Sequence, residues 1–156
     1  MPTASQLMGW IKRVFDEREF IYDFDHETAT ISARFPLQTK LHEVKAVLKC
    51  GEDRIVINSY ISLRADEECR HRVSEYLMRA TYGLIFGNFE LDHRDGEIRY
   101  RVTLDCEDRT DLSESLLMGS IGVATRMFNR YGDGLVAVMY GFRTPEEAVE
   151  EAEAVK

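Results

Sequence analysis

The stretch from Asn88 to Cys106 has the clearest alternation of apolar and polar residues in the chain, in two runs that flank Asp95-Gly96. Asp-Gly tolerates the positive φ angles of a type I′ turn, so the pattern predicts a β-hairpin. The register that follows pairs, on the apolar side, Phe89 with Val102, Leu91 with Tyr100 and His93 with Ile98. On the other side it pairs opposite charges, Asp92 with Arg99 and Glu90 with Arg101. One face of the hairpin is therefore predicted to meet a core and the other face water.

Other parts of the chain alternate in the same way and predict further strands. They are residues 20–24 with 29–35, residues 44–50, and residues 54–63. The last stretch is rich in β-branched residues, which favours a central strand. Val56 and Tyr60 lie opposite its main apolar side, so its second face is not fully polar. These two side chains are candidates for contact with a partner.

Residues 3–18 are predicted to form a helix, because apolar side chains recur there at spacings of three and four residues. Thr3 and Gln6 have the spacing of a capping box at its start. Trp10 is the centre of an apolar stripe that also contains Leu7, Ile11, Val14 and Phe15. Such a stripe usually packs on the protein's own core, and the alternative is a helix that binds a partner.

Two longer helices are predicted farther along the chain. The first covers residues 66–82 and should end at Gly83. The second begins with Asp111 and Glu114 in capping positions and is expected to break at Gly132-Asp133-Gly134, before one or two helical turns over 135–140.

Gly119 and Gly122 lie inside the second of these helices. Each costs about 1 kcal/mol relative to alanine in a helix interior. We therefore expect them to permit the close approach of another backbone, which belongs either to this chain's own sheet or to a partner subunit.

A last, acidic helix is predicted to start at Thr144, since Pro145 and Glu147 supply a first-turn proline and a capping glutamate. The order of elements is then helix, four strands, helix, hairpin and helices. Strands that are grouped rather than alternating with helices indicate an α+β fold, with an antiparallel sheet flanked by helices. Residues 1–156 are predicted to form a single domain.

The chain has a net charge of −8, which is poorly suited to nucleic acid or an anionic membrane, because both require a positive surface. No apolar run reaches the roughly 20 residues needed to span a bilayer, and the first residues lack the features of a signal peptide. Cys50, Cys69 and Cys106 are odd in number and widely spaced, which is typical of buried thiols in a reducing compartment. A cytoplasmic location is therefore expected, without nucleic-acid or membrane partners.

The sequence contains no phosphate-binding loop and no Cys-x-x-Cys or His-Glu-x-x-His motif. Cys69 and His71 point to different faces of a predicted helix, so they cannot share a metal. The acids Asp105, Glu107, Asp108 and Asp111 could hold a divalent cation, but a solvated loop before a helix explains them well. We predict no catalytic residue, no metal and no cofactor. The alternative is a small-molecule or catalytic pocket between helices and sheet, which would use His93, Tyr100 and these acids.

Several short motifs resemble one known family. They are Tyr82-Gly83-Leu84, Gly87-Asn88-Phe89-Glu90-Leu91-Asp92, Asp95-Gly96-Glu97-Ile98-Arg99-Tyr100, Tyr140-Gly141 and Pro145-Glu146-Glu147-Ala148. In these the chain resembles the YbjN family, labelled as bacterial sensory transduction regulators, whose fold is similar to that of type III secretion chaperones. The resemblance is strongest from Tyr76 to Ala148, and it implies a small α+β domain, often dimeric, with no established enzymatic activity.

The sequence thus favours a non-enzymatic protein-interaction domain, chaperone-like or regulatory, that forms a homodimer and has a protein or peptide client. The candidate contact surface is an exposed sheet edge or groove that uses Val56, Tyr60 and the first helix. The candidate partner-binding residues are Trp10, Val56, Tyr60, Gly119 and Gly122.

Overall fold

A computed structural model describes residues 2–107 and 112–154. These residues form four helices and six strands, in the order α1 (Ala4–Glu17), β1 (Tyr22–Asp25), β2 (Thr30–Pro36), β3 (Glu43–Cys50), β4 (Arg54–Tyr60), α2 (Arg70–Thr81), β5 (Asn88–Leu91), β6 (Ile98–Asp105), α3 (Glu114–Met139) and α4 (Pro145–Ala154). No helix within them is both long enough and apolar enough to cross a bilayer.

The six strands form one antiparallel sheet in the order β1-β2-β3-β4-β6-β5. Neighbouring strands are consecutive in the chain except at β4 and β6, where the hairpin enters so that β6 lies inside and β5 at the edge. The predicted α+β fold with an antiparallel sheet is confirmed, and β4 is central, as its β-branched composition indicates.

The sheet buries one face only. The buried side chains of its strands alternate with half-buried and exposed ones, as expected for a sheet with one face on a core. Helices α1 and α3 pack on the middle strands, α2 packs on β5, and α4 packs on α2 and α3. The opposite side of the four middle strands is here called the open face, and its side chains are Thr30, Ser32, Arg34, Pro36, Glu43, Lys45, Val47, Lys49, Arg54, Val56, Asn58, Tyr60, Arg99, Arg101, Thr103 and Asp105.

The hairpin forms with the predicted apolar face inward, but its predicted register is wrong by two residues. Phe89 pairs with Tyr100 rather than Val102, and Leu91 pairs with Ile98 rather than Tyr100. The reason is the turn: the Asp92 N–H donates to the Glu97 carbonyl at 2.9 Å and the Gly96 N–H to the Asp92 carbonyl at 2.8 Å, which closes a four-residue loop instead of a two-residue turn. A shift of two residues keeps every side chain on its predicted face. His93 becomes an exposed loop residue.

The hairpin loop is locked against the segment that follows β4. Gly96 has a φ of 76° and is buried against the Ala65 backbone. The Ala65 N–H donates to the Gly96 carbonyl at 2.9 Å, and the Arg64 guanidinium binds Asp95 at 2.7 Å. Only glycine has both the small size and the backbone freedom that this position needs.

Helix α3 runs unbroken through Gly132-Asp133-Gly134, so the predicted break is wrong. At about 1.5 Å per residue, its 26 residues span about 39 Å. A Cβ on Gly132 would lie 2.8 Å from Leu41 Cδ1, and one on Gly134 would lie 2.4 Å from the Tyr76 hydroxyl oxygen. The two glycines therefore admit neighbouring side chains to the helix surface, and tertiary packing outweighs their low helix propensity.

The predicted capping residues are confirmed at α1 and α4. Thr3 and Gln6 form a reciprocal capping box, and Thr144 and Glu147 do the same. Helix α3 begins one residue after Ser113, whose Oγ accepts the Leu116 N–H at 3.1 Å. The predicted start at Asp111 lies outside the described residues.

Candidate protein-binding surfaces

Large apolar side chains are exposed around the end of α2. Met78 is 70% exposed and Tyr82 90% exposed, and Ile85 in the following loop is fully exposed. Met78, Arg79, Thr81, Tyr82 and Val149 line an open, mostly apolar depression of about 610 Å³, here called the apolar groove. Soluble proteins rarely expose apolar side chains in such groups unless a partner covers them.

The groove is exposed because two faces of α2 are apolar. Val73, Tyr76, Leu77 and Ala80 point to the core, while Met78 and Tyr82 follow a second side of the helix. Gly83, with a φ of 84°, then ends the helix as predicted and turns the chain outwards. The loop from 83 to 87 carries Ile85 and Phe86 before the chain returns to the sheet.

Both ends of this loop are held in place. The Phe89 N–H donates to Thr81 Oγ1 at 3.2 Å, and the Tyr100 hydroxyl donates to the Phe86 carbonyl at 2.5 Å. Burial raises the pKa of Tyr100 to about 12, so this hydroxyl keeps its proton and remains a donor at neutral pH. Ile85 is thus presented on an anchored loop rather than on a free one.

The open face is a second surface, on the other side of the sheet. Cations on neighbouring strands come together there, since Arg34 pairs with Lys45 across β2 and β3, and Tyr60 pairs with both Lys45 and Arg99. Val47, Val56 and Tyr60 are half-buried on the same face, and Val56 lies directly across from Lys49. The open face is therefore a mixed surface of cations and apolar groups.

The arginines on β6 are held by one carboxylate on the edge strand. Glu90 lies 2.8 Å from Arg101 and 3.3 Å from Arg99, and Arg99 also donates to the Tyr60 hydroxyl at 3.2 Å. The predicted pair of Glu90 with Arg101 forms, although Glu90 lies directly opposite Arg99. Asp92 instead binds Arg94, whose guanidinium holds the pKa of that carboxyl well below its usual range.

The five predicted partner-binding residues do not form one surface. Val56 and Tyr60 lie on the open face, whereas Trp10 is on α1 across the sheet, half-buried against the core. In α3, a Cβ on Gly119 would meet no atom within 4 Å, and one on Gly122 would meet only Arg126. The glycines that admit close neighbours are Gly132 and Gly134.

The residues of the alternative pocket point apart. His93 is exposed, with Nε2 3.2 Å from Ser74 Oγ, and is not half-buried on the core side as its predicted register required. Tyr100 is buried under the helices, and Asp105 lies at the far end of β6 from the hairpin loop. Within the described ranges no three histidine, cysteine or acidic side chains are grouped to hold a metal. Asp108 and Asp111 lie outside those ranges.

The sequence indicates the groove through apolar residues that do not fit the helical periodicity of the core-facing stripe. Met78, Tyr82 and Ile85 are apolar but lie off the stripe that predicts the core face of α2. The open-face cations were visible as lysines alternating with apolar residues on β3, but their grouping depends on which strands are neighbours.

A scan against protein-family models finds no match, and no curated protein is significantly similar to the chain.

Proposed function

We propose that this chain is a non-enzymatic protein-interaction domain, chaperone-like or regulatory, and that a homodimer is its working form. The apolar groove together with Ile85 and Phe86 is the contact between the two copies. The resemblance to the YbjN family is part of this proposal, since members of that family are often dimeric.

The observation that carries the proposal is the exposure of four large apolar side chains, Met78 and Tyr82 in the groove and Ile85 and Phe86 in the loop that follows α2. A large side chain offers about 150–250 Å² when fully exposed, so the four expose on the order of 500 Å². Each partner of a standard interface contributes about 800 Å², and aromatic residues and methionine are enriched there.

A twofold contact suits this surface. In an isologous dimer each copy uses the same patch, so the exposed side chains of one copy cover those of the other. Arg79 and Glu75 form an ion pair at 3.0 Å beside the groove, which provides a polar rim to the apolar centre. The three cysteines are all buried, which supports the cytoplasmic location that we include in the proposal.

Sedimentation velocity at micromolar concentration tests the homodimer. We expect the wild-type chain to sediment as a dimer, and Tyr82→Glu and Ile85→Glu to shift it to the monomer, because each places a charge in the apolar contact. Ile21→Glu is the matched control, since Ile21 is 95% exposed and precedes β1 rather than lining the groove. A wild-type chain that stays monomeric, or a control that dissociates the dimer equally well, would overturn the assignment.

A further inference from the structure

The open face concentrates positive charge in an acidic chain. Its sixteen side chains include six cations and only two acids, Glu43 and Asp105, a net charge of +4, whereas the whole chain has a net charge of −8. Acids border it on both edge strands, with Asp23 and Asp25 on β1 and Glu90 on β5. The positive region is therefore a strip over the four middle strands, roughly 15–20 Å wide at about 4.8 Å per strand.

Carboxylates of the chain itself neutralise only part of this strip. Glu43 binds Arg34 at 2.6 Å, and Glu90 is shared between Arg99 and Arg101. Asp53 binds Arg54 at 2.5 Å, and Asp105 lies directly across from Arg54 on β6. Six cations less the four carboxylates Glu43, Asp53, Glu90 and Asp105 leave two positive charges. Lys45 and Lys49 form no ion pair with any residue in the ranges 2–107 and 112–154.

Apolar groups lie between the unpaired lysines. Val47 is midway between Lys45 and Lys49 on the same face of β3, and Val56 lies directly across from Lys49 on β4. The two lysines are four residues apart, which is about 13 Å along a strand. An extended segment that carries carboxylates at every fourth position, with an apolar side chain midway between them, has the same spacing.

We propose that the open face binds an acidic segment of a partner protein, extended in conformation, in which carboxylates alternate with apolar side chains. The carboxylates bind Lys45, Lys49 and the β6 arginines, and the apolar side chains pack on Val47 and Val56. This contact is separate from the apolar groove and does not depend on it.

The surface suits such a segment better than a nucleic acid. Binding of single strands relies on aromatic side chains that stack on bases, and Tyr60 is the one aromatic residue of the open face, already hydrogen-bonded to Arg99. Val47 and Val56 offer nothing to a phosphate backbone, and the acids on both edge strands repel it at the sides.

Fluorescence anisotropy with a labelled peptide that repeats Glu-Ser-Val-Ser, added to the full-length protein, tests the proposal. We expect saturable binding that weakens as salt is added, because the contact is partly electrostatic. Lys45→Glu with Lys49→Glu should weaken binding at least tenfold, or about 1.4 kcal/mol. Lys12→Glu with Lys40→Glu is the matched control, as it changes the net charge equally at positions outside the open face and should leave binding within twofold.

Two further ligands test which chemical groups the open face binds. A peptide that repeats Glu-Ser-Ser-Ser should bind more weakly, because it cannot pack on Val47 and Val56, and oligothymidylate should bind more weakly than either peptide. Equal loss in both double variants, tighter binding of oligothymidylate, or no binding of the first peptide to correctly folded protein would overturn the proposal.

The same preparations are examined by sedimentation, so that the two proposals fail separately. If the protein is a monomer and binds the peptide, the homodimer proposal is wrong and the proposal of an acidic-segment site stands. If it is a dimer and binds no peptide, the reverse holds. If Lys45→Glu with Lys49→Glu dissociates the dimer, a second copy occupies the open face and this proposal is wrong.

Discussion

Replacing Gly96 with alanine should be far more destabilising than the same change at Gly83, although both glycines have positive φ angles. Gly83 has a φ of 84° with no atom within 4 Å of an added Cβ, whereas Gly96 has a φ of 76° and meets the Ala65 backbone. The pair therefore separates backbone strain from a steric clash. Gly83→Ala is the matched control.

The expected sizes follow from these two environments. Left-handed backbone costs a non-glycine residue about 1–2 kcal/mol, and the smaller entropy of the unfolded chain returns about 0.4–1 kcal/mol, so Gly83→Ala should cost about 1 kcal/mol. Gly96→Ala adds overpacking of about 1–3 kcal/mol and strains the hydrogen bond from the Ala65 N–H. We expect a total cost of about 3 kcal/mol.

Urea unfolding followed by circular dichroism measures the difference. With a slope of about 2 kcal/mol/M, a gap of about 2 kcal/mol moves the two midpoints apart by about 1 M. Midpoints that coincide would refute the steric argument, and with it the close packing of the hairpin loop against Ala65.

The other predictions concern helix α3, the core and acid stability. Gly119→Ala should raise the free energy of unfolding by about 1 kcal/mol, because its added methyl group meets no other atom. Gly134→Ala should lower the free energy of unfolding by about 1–3 kcal/mol, because its methyl group collides with Tyr76. Urea unfolding distinguishes the two variants, and weaker dimerisation of Gly119→Ala would instead place a partner at Gly119. Ser59 Oγ is buried with no hydrogen-bond partner in the part of the chain that the structure describes, so Ser59→Ala should stabilise by about 1 kcal/mol and raise Tm by about 2–4 °C; a lower Tm would contradict this. The backbone N–H of Glu97, followed by Arg64, lowers the pKa of Asp95, so its stabilisation is present above the unfolded-state pKa and is lost as pH falls through the folded-state value. Asp95→Asn should therefore flatten the decline in stability below about pH 4, and an unchanged acid slope would count against the ion pair.

The sequence predicts those features that depend on local chemistry. The capping box of Thr3 and the N-cap of Thr144 need only residues three positions apart, and both form as expected. The hairpin faces were predictable because alternation alone decides them. The hairpin register was not, since the four-residue loop that sets it also packs Gly96 against Ala65, which is distant in the sequence.

Helix α3 shows the same limit. Gly132 and Gly134 have low helix propensity, and the sequence does not reveal that Leu41 and Tyr76 occupy the space above them. Among the surface residues, the position of Val56 and Tyr60 on the second face of β4 was predictable from the alternation within that strand alone. Lys45 and Lys49 become part of a positively charged surface only because β2, β3, β4 and β6 are neighbours in the sheet, and the sequence does not reveal that strand order.

The two outermost strands, β1 and β5, have four residues each. Only half of the residues of an edge strand have backbone N–H and C=O groups that point away from the sheet. A strand of another molecule could therefore form hydrogen bonds with only two residues of β1 or of β5. Fibre growth by stacking one molecule's border against another's would gain few bonds, and Asp23 and Asp25 add charge repulsion at β1. The two border strands are therefore poor templates for amyloid-like ribbons.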